Sequence, residues 1–148
     1  MIEGVEVIPL TRFVDERGSV LLMLKESDPH FVHFGEIYFS TVYSGMVKAW
    51  KNHRRMYANY ACVHGKIRVV LHDDRDGSST RGKTVELQVS PDEYSLVVIP
   101  PGVWHGFQGL GEPVSILANC ATEPSDPLEL DRLDATAGVI PYTWEVVV

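Results

Sequence analysis

The 148-residue chain reads as an all-β barrel or jelly roll in a single domain, and three observations carry that reading. Short β-branched or alternating segments recur along its length. Turn-forming residues separate them roughly every 8–12 positions, the spacing of a meandering all-β domain. Helical periodicity is nearly absent, with one short exception near the C-terminal end.

Residues 5–10 and 19–24 are short, β-rich and bounded by turn formers. Between them Asp15-Glu-Arg-Gly18 reads as a tight turn, with Gly18 free to take positive φ. Residues 36–42 alternate loosely and lead into Gly45-Met-Val-Lys-Ala-Trp-Lys-Asn-His53, a strand with polar groups along it. Residues 60–65 and 66–72 form a hairpin turning at His64-Gly65, and residues 73–82 make a long polar loop. Residues 84–89 alternate again, and the β-branched run 93–99 is stopped by Pro100-Pro101. The Pro-Pro-Gly turn then brings in Val103-Trp-His105-Gly-Phe107. Residues 115–121 are the last clear strand, broken by Glu123-Pro-Ser-Asp-Pro127. Residues 127–133 suit one or two helical turns, and the apolar tail 141–148 is expected to dock, a partner subunit being one candidate surface. No repeat, low-complexity tract or linker divides the chain, so residues 1–148 are expected to be one domain.

A chain of this length buries about two-thirds of its unfolded surface. Its 45% hydrophobic and 22% charged residues are ordinary for a globular protein. No apolar run approaches the ~20 residues that span a bilayer, so a cytoplasmic, non-membrane protein is expected. Cys62 and Cys120, without a secretion signal, are expected to be free thiols. The net charge of −7 argues against nucleic-acid binding, which needs a basic face. Within that acidic chain Lys48, Lys51, His53, Arg54 and Arg55 crowd into one short stretch. They are either a solvated strand end or a site for a phosphate-bearing ligand.

Side chains on a strand alternate, so Lys51 and His53 share a face, about 7 Å apart along it. Charged or titratable groups turned into a barrel are costly unless the interior is wet or holds a ligand. Lys51 can serve as a fixed positive charge, as a base of lowered pKa, or as a Schiff-base amine. Histidine titrates near neutrality, which makes His53 a candidate base. Trp50, Trp104 and Tyr57 can stack on a base or sugar, although an aromatic in a barrel is core by default. Inward-facing His72 with His53 and His105 would leave three histidines and no obvious carboxylate, so neither a metal nor another cofactor is expected.

The landmarks, taken in order, resemble the dTDP-4-dehydrorhamnose 3,5-epimerase family, cupin-type jelly rolls acting on nucleotide 4-keto-sugars. The matching pieces are Phe13-Val-Asp-Glu-Arg-Gly18, Gly45-Met-Val-Lys48, Gly65, Asp73-Asp-Arg75 with Ser79-Thr80 and Gly82, residues 99–107, Asp126-Pro127 with Glu129, and Ile140-Pro-Tyr-Thr-Trp144. The resemblance implies a pocket position for His105, a phosphate role for Arg17 from a neighbouring subunit, and a similar role for Lys48 in place of an arginine. Arg54, Trp50 and Asn59 complete the expected substrate-binding set. It also implies a homodimer, because family members exchange strands.

The departures fall on catalytic positions. Lys51 stands where the family has its histidine base, and His53 where it has glutamine. The family's lysine falls near Ala58, its tyrosine near residues 123–125 where none occurs, and its orienting aspartate in a segment beyond this chain's end. The resemblance thus implies proton abstraction α to the carbonyl of a nucleotide-linked 4-keto-deoxysugar in polysaccharide biosynthesis. His53 or Lys51 would be the base, and Lys51 or His105 would support the enolate oxygen. A sugar-nucleotide-binding subunit without catalysis, or a metal-dependent cupin, are the alternatives.

Overall fold

The computed structural model, which describes residues 1–146, is an all-β jelly roll of two packed five-stranded sheets. Its strands are β1 (Glu6–Pro9), β2 (Arg12–Asp15), β3 (Gly18–Leu21), β4 (Glu36–Tyr43), β5 (Val47–His53) and β6 (Ala58–His64). They continue as β7 (Ile67–Asp73), β8 (Thr84–Val89), β9 (Ser95–Ile99), β10 (Val103–Gly109), β11 (Val114–Ala121) and β12 (Leu130–Arg132). One sheet runs β1-β9-β6-β11-β4 and the other β12-β5-β10-β7-β8, while β2 and β3 form a separate hairpin. Among the described residues no helix is long and apolar enough to cross a membrane.

Alternation along the strands decides what fills the space between the sheets. Ala58, Tyr60 and Cys62 of β6 meet Ile67, Val69 and Leu71 of β7 there, with Phe107 and Leu117. The intervening residues of β6 and β9 build a second cluster, Ala61, Leu96 and Val98, on the outside of the first sheet. On the outside of the second sheet Trp50, Val70 and Ile140 are buried with Tyr142 and Trp144 against them. The tail therefore docks on its own chain's sheet as far as Trp144, Val146 is exposed, and the expectation for residues 147 and 148 lies outside the described residues. Cys62 and Cys120 are both free.

The segment 127–133 is not helical beyond one turn. Asp126 caps a three-residue 3₁₀ turn, Pro127–Glu129, by accepting from the Leu128 amide at 3.0 Å. The chain then extends into β12, pairing Leu130 with His53 and Arg132 with Lys51. The β-ladder offers these backbone groups partners at the sheet edge, so tertiary pairing overrides a weak local preference.

One irregularity positions the site. His105 pairs with Lys51 and Phe107 with Lys48, so a single residue of β10 opposes two of β5. Such a bulge reverses side-chain parity. It lets Lys48 point between the sheets although it lies an odd number of residues from Lys51, and turns Ala49 and Trp50 outward. Gly106 makes the close approach possible, since a Cβ there would sit 2.4 Å from that of Ala49. Gly102 at φ +89° closes the turn before β10, and its amide donates to the His53 carbonyl at 2.9 Å, tying the ends of β5 and β10 together.

Candidate active site

Between the open ends of the two sheets lies a cleft in two connected parts. The outer part, about 340 Å³, is lined by Tyr38, Lys51, His53, Met56, Asp126 and Arg132, among others. The inner part, about 130 Å³, is lined by Tyr38, Ser40, Lys48, Lys51, Tyr60 and His105 with their neighbours. Tyr38 and Lys51 belong to both, one from each sheet.

His53 is 7% exposed, and its Nδ1 lies 2.7 Å from Oε1 of Glu129, which has no exposed surface. The other carboxylate oxygen accepts from the amides of Arg55, at 2.6 Å, and Met56, at 3.0 Å. Burial alone would raise the Glu129 pKa, but these amides and His53 outweigh it and hold it at about 2. An ionised carboxylate only accepts, so His53 must donate from Nδ1, and in the neutral ring Nε2 keeps a lone pair for the cleft. This is the arrangement of an oriented general base.

His105 has a different character. Its Nδ1 donates to the Val103 carbonyl at 3.1 Å, and its Nε2 is buried without a partner. Burial, with smaller contributions from His53 whenever that ring carries a second proton and from the Lys51 charge, lowers its pKa to about 3 against the opposing Val103 bond. It is neutral at pH 7, and its ring lies 5.7 Å from that of His53, nearly parallel. With Nδ1–H committed, the group offers a substrate an acceptor rather than a donor, which fits a sugar hydroxyl and not an enolate oxygen.

Lys51 is the cation that faces the reacting space. Burial first, then Arg132 and Lys48, lower its pKa. Lys48 sends its ammonium across to β4, donating to Ser40 Oγ at 2.9 Å and to the Thr41 carbonyl at 2.7 Å. Arg132, not singled out in the sequence, completes a run of three cations on the second-sheet wall. Such a wall suits an anionic ligand.

Several expected contacts are absent from the cleft. The Trp50 indole is 1% exposed and packs at a tilt against Trp144, ring centroids 5.1 Å apart, on the far side of the sheet, because the bulge turned it outward. Asn59 follows the parity of Ala61, not of Tyr60, and its Nδ2 donates to the Cys120 carbonyl at 2.9 Å. Arg54 clasps the Leu128 carbonyl at 2.8 Å and Asp131 at 2.7 Å, so it fixes the segment that carries Glu129. His72 alternates outward from Leu71 and bonds Thr84 at 2.8 Å. Arg17, expected to act at a neighbouring subunit's ligand, lies on the β2–β3 hairpin, exposed and paired with Asp15 at 2.7 Å, away from its own chain's cleft. Among the described residues no three His, Cys, Asp or Glu side chains are grouped to hold a metal ion.

Glu129 entered the sequence reading only as a landmark, and its bond to His53 spans 76 residues. Tyr38 was also missed. Its signal is parity with Val42, a buried core residue four positions on along the same strand.

A jelly roll with an oriented histidine and a cationic wall at its mouth is the build of a cupin that handles an anionic small molecule. The family model described as dTDP-4-dehydrorhamnose 3,5-epimerase matches residues 1–146, and the chain belongs to that family. It is 32% identical to the spore coat polysaccharide biosynthesis protein SpsL of Bacillus subtilis, over 97% of each chain. It is 31% identical to the probable low-salt glycan biosynthesis epimerase Agl13 of Haloferax volcanii, over 84% of this chain and 81% of that one. The crystal structure of a dTDP sugar isomerase from Desulfovibrio desulfuricans superposes with a TM-score of 0.94 at 41% identity, covering 97% of this chain and 92% of that one.

Proposed function

We propose that the protein is an epimerase or related isomerase of a dTDP-linked, or similarly activated, 4-keto-deoxysugar in polysaccharide biosynthesis. The observation that carries this reading is the His53–Glu129 pair, with a free imidazole nitrogen beside the Lys51 ammonium in one cleft. A base and a cation side by side are what enolisation needs. His53 Nε2 takes the proton α to the C4 carbonyl, and Lys51 stabilises the oxyanion that develops. Lys51 at the position of the family's base is thus a fixed charge, and the base has moved two residues along the strand to a position served by its own carboxylate. His105 accepts a hydrogen bond from a sugar hydroxyl, and Lys48 with Arg132 meets the diphosphate.

Family membership supports the substrate class, and supports a role for Arg17 at the phosphates of a neighbouring subunit's ligand. A homodimer accords with the exposed apolar residues Phe13, Val14 and Val20 on the hairpin and Ile37 and Phe39 on β4, which would otherwise face water. Sedimentation at micromolar concentration tests it. One domain working in the cytoplasm fits this reading.

The test of function is deuterium wash-in. The protein is incubated with dTDP-4-keto-6-deoxyglucose in D₂O while the C3 and C5 protons are followed by NMR. Catalytic loss of either signal, abolished in His53→Asn, is the expected outcome. Unexchanged ring protons with binding retained would leave a sugar-nucleotide-binding protein without this chemistry.

A further inference from the structure

We propose that Tyr38 is the proton donor on the wall opposite His53, so that the two residues together invert the sugar carbon. The inference rests on the epimerase reading and assigns the second half of that reaction.

Inversion at a carbon requires the proton to leave from one face and return to the other. His53, Lys51 and Arg132 all belong to the second sheet, so a group on the first-sheet side must supply the returning proton. Among the described residues lining the cleft, the candidates there are Ser40, Tyr60 and Tyr38 from the strands, and Ser125 from the loop that follows β11. Ser40 receives the Lys48 ammonium. Ser125 donates its hydroxyl to Glu36. Tyr60 is 2% exposed, packed among Phe107 and His105 at the cleft's inner end.

Tyr38 alone is positioned and also free to donate. It pairs across the sheet with Asn119, which pairs in turn with Tyr60, so three inward side chains stand abreast. Buried Asn119 is fixed by its Oδ1 accepting the Asn59 amide at 2.9 Å, and its Nδ2 donates to the Tyr38 hydroxyl oxygen at 3.0 Å. Tyr60 stands beside it, and burial together with its contact with Tyr38 raises the Tyr60 pKa, so Tyr60 keeps its own proton. With that lone pair of Tyr38 engaged by Asn119, the Tyr38 hydroxyl proton is available to the cleft. The same amide bond stabilises the phenolate that forms once the proton has gone.

The proton balance closes. The C–H bond breaks, its electron pair enters the enolate and its proton binds His53 Nε2. The enolate carbon then takes the Tyr38 proton from the other face, the carbonyl re-forms, and solvent reprotonates the phenolate while the imidazolium returns its proton to water.

Tyr38→Phe removes the hydroxyl and keeps the ring, so a folded variant is expected and is checked by its melting temperature. Wild type and variant are compared on dTDP-4-keto-6-deoxyglucose in D₂O, reading both solvent exchange at the α carbons and the configuration at each. The expected result is exchange within a few-fold of wild type but inversion slowed about 100-fold or more. Inversion at the wild-type rate overturns the assignment and leaves the epimerase reading standing. Exchange and inversion falling by the same factor overturn it as well, since the hydroxyl would then serve binding. No exchange in the wild type overturns the epimerase reading and the assignment with it.

Discussion

Asp73 and Glu129 are both carboxylates with no exposed surface, and both are held ionised below the usual carboxylate range. Their surroundings differ in one respect. Asp73 accepts from Arg75 Nε at 2.9 Å and Nη2 at 3.0 Å, from Ser78 at 2.5 Å and from Thr80 at 2.6 Å. Arg75 in turn donates to the Glu3 carbonyl, so the cluster closes on itself and knots the 73–82 loop to the N-terminus. Glu129 spends its bonds on two amides and one imidazole, and that imidazole keeps a nitrogen open to the cleft. A saturated buried carboxylate serves the fold, whereas one whose partner retains a free valence can serve chemistry.

Substitutions at the two clusters should separate accordingly. His53→Asn should give the largest effect, a loss of ring-proton exchange of about 10³-fold with the circular dichroism of the fold retained. Glu129→Gln comes next, at about 10²-fold in exchange rate. The amide can donate to Nδ1 and so put the proton on Nε2, where the lone pair is needed. A measurable shift in the pH–rate profile should accompany it. Asp73→Asn reverses the balance. It should cost about 2–3 kcal/mol in urea unfolding, through the Arg75 charge left without its partner, while exchange per folded molecule stays within two-fold. An exchange defect in Asp73→Asn as large as that in Glu129→Gln would remove the distinction.

Acid sharpens the comparison. His105 has a folded pKa of about 3 against about 6.5 unfolded, so below the unfolded value only the unfolded chain binds this proton. Its contribution is complete above about pH 6.5 and is lost as pH falls toward 3, at up to about 1.4 kcal/mol per unit. The depressed carboxylates add to the loss only below about pH 4.5, because their stabilisation lies above their unfolded pKa. Urea unfolding of the wild type at pH 7 and 5 should therefore reveal a fall that His105→Leu lacks. The smallest effect belongs to Arg54→Ala. Its exposed clasp on Leu128 and Asp131 should contribute under about 1 kcal/mol, seen as a minor drop in melting temperature.

Much of the architecture is legible in the chain itself. The alternation in residues 84–89, the β-branched run 93–99 and the Pro-Pro-Gly turn each specify their element locally, because strand parity and turn geometry are properties of a few adjacent residues. The same parity makes Lys51 and His53 neighbours. It fails at Trp50, since the bulge that turns the indole outward depends on the register of β10 against β5, and at residues 130–132, whose extended form depends on β5 lying beside them.

Local order is enough for an all-β jelly roll, for most of its strands and for the cationic, histidine-bearing stretch that faces its interior. Tertiary structure alone decided that Glu129 orients His53, that Tyr38 faces Lys51 across a cleft, and that His105 is neutral. Each of these depends on groups brought together from distant strands, and on the loss of water around them, and neither distance nor dielectric is written in local order.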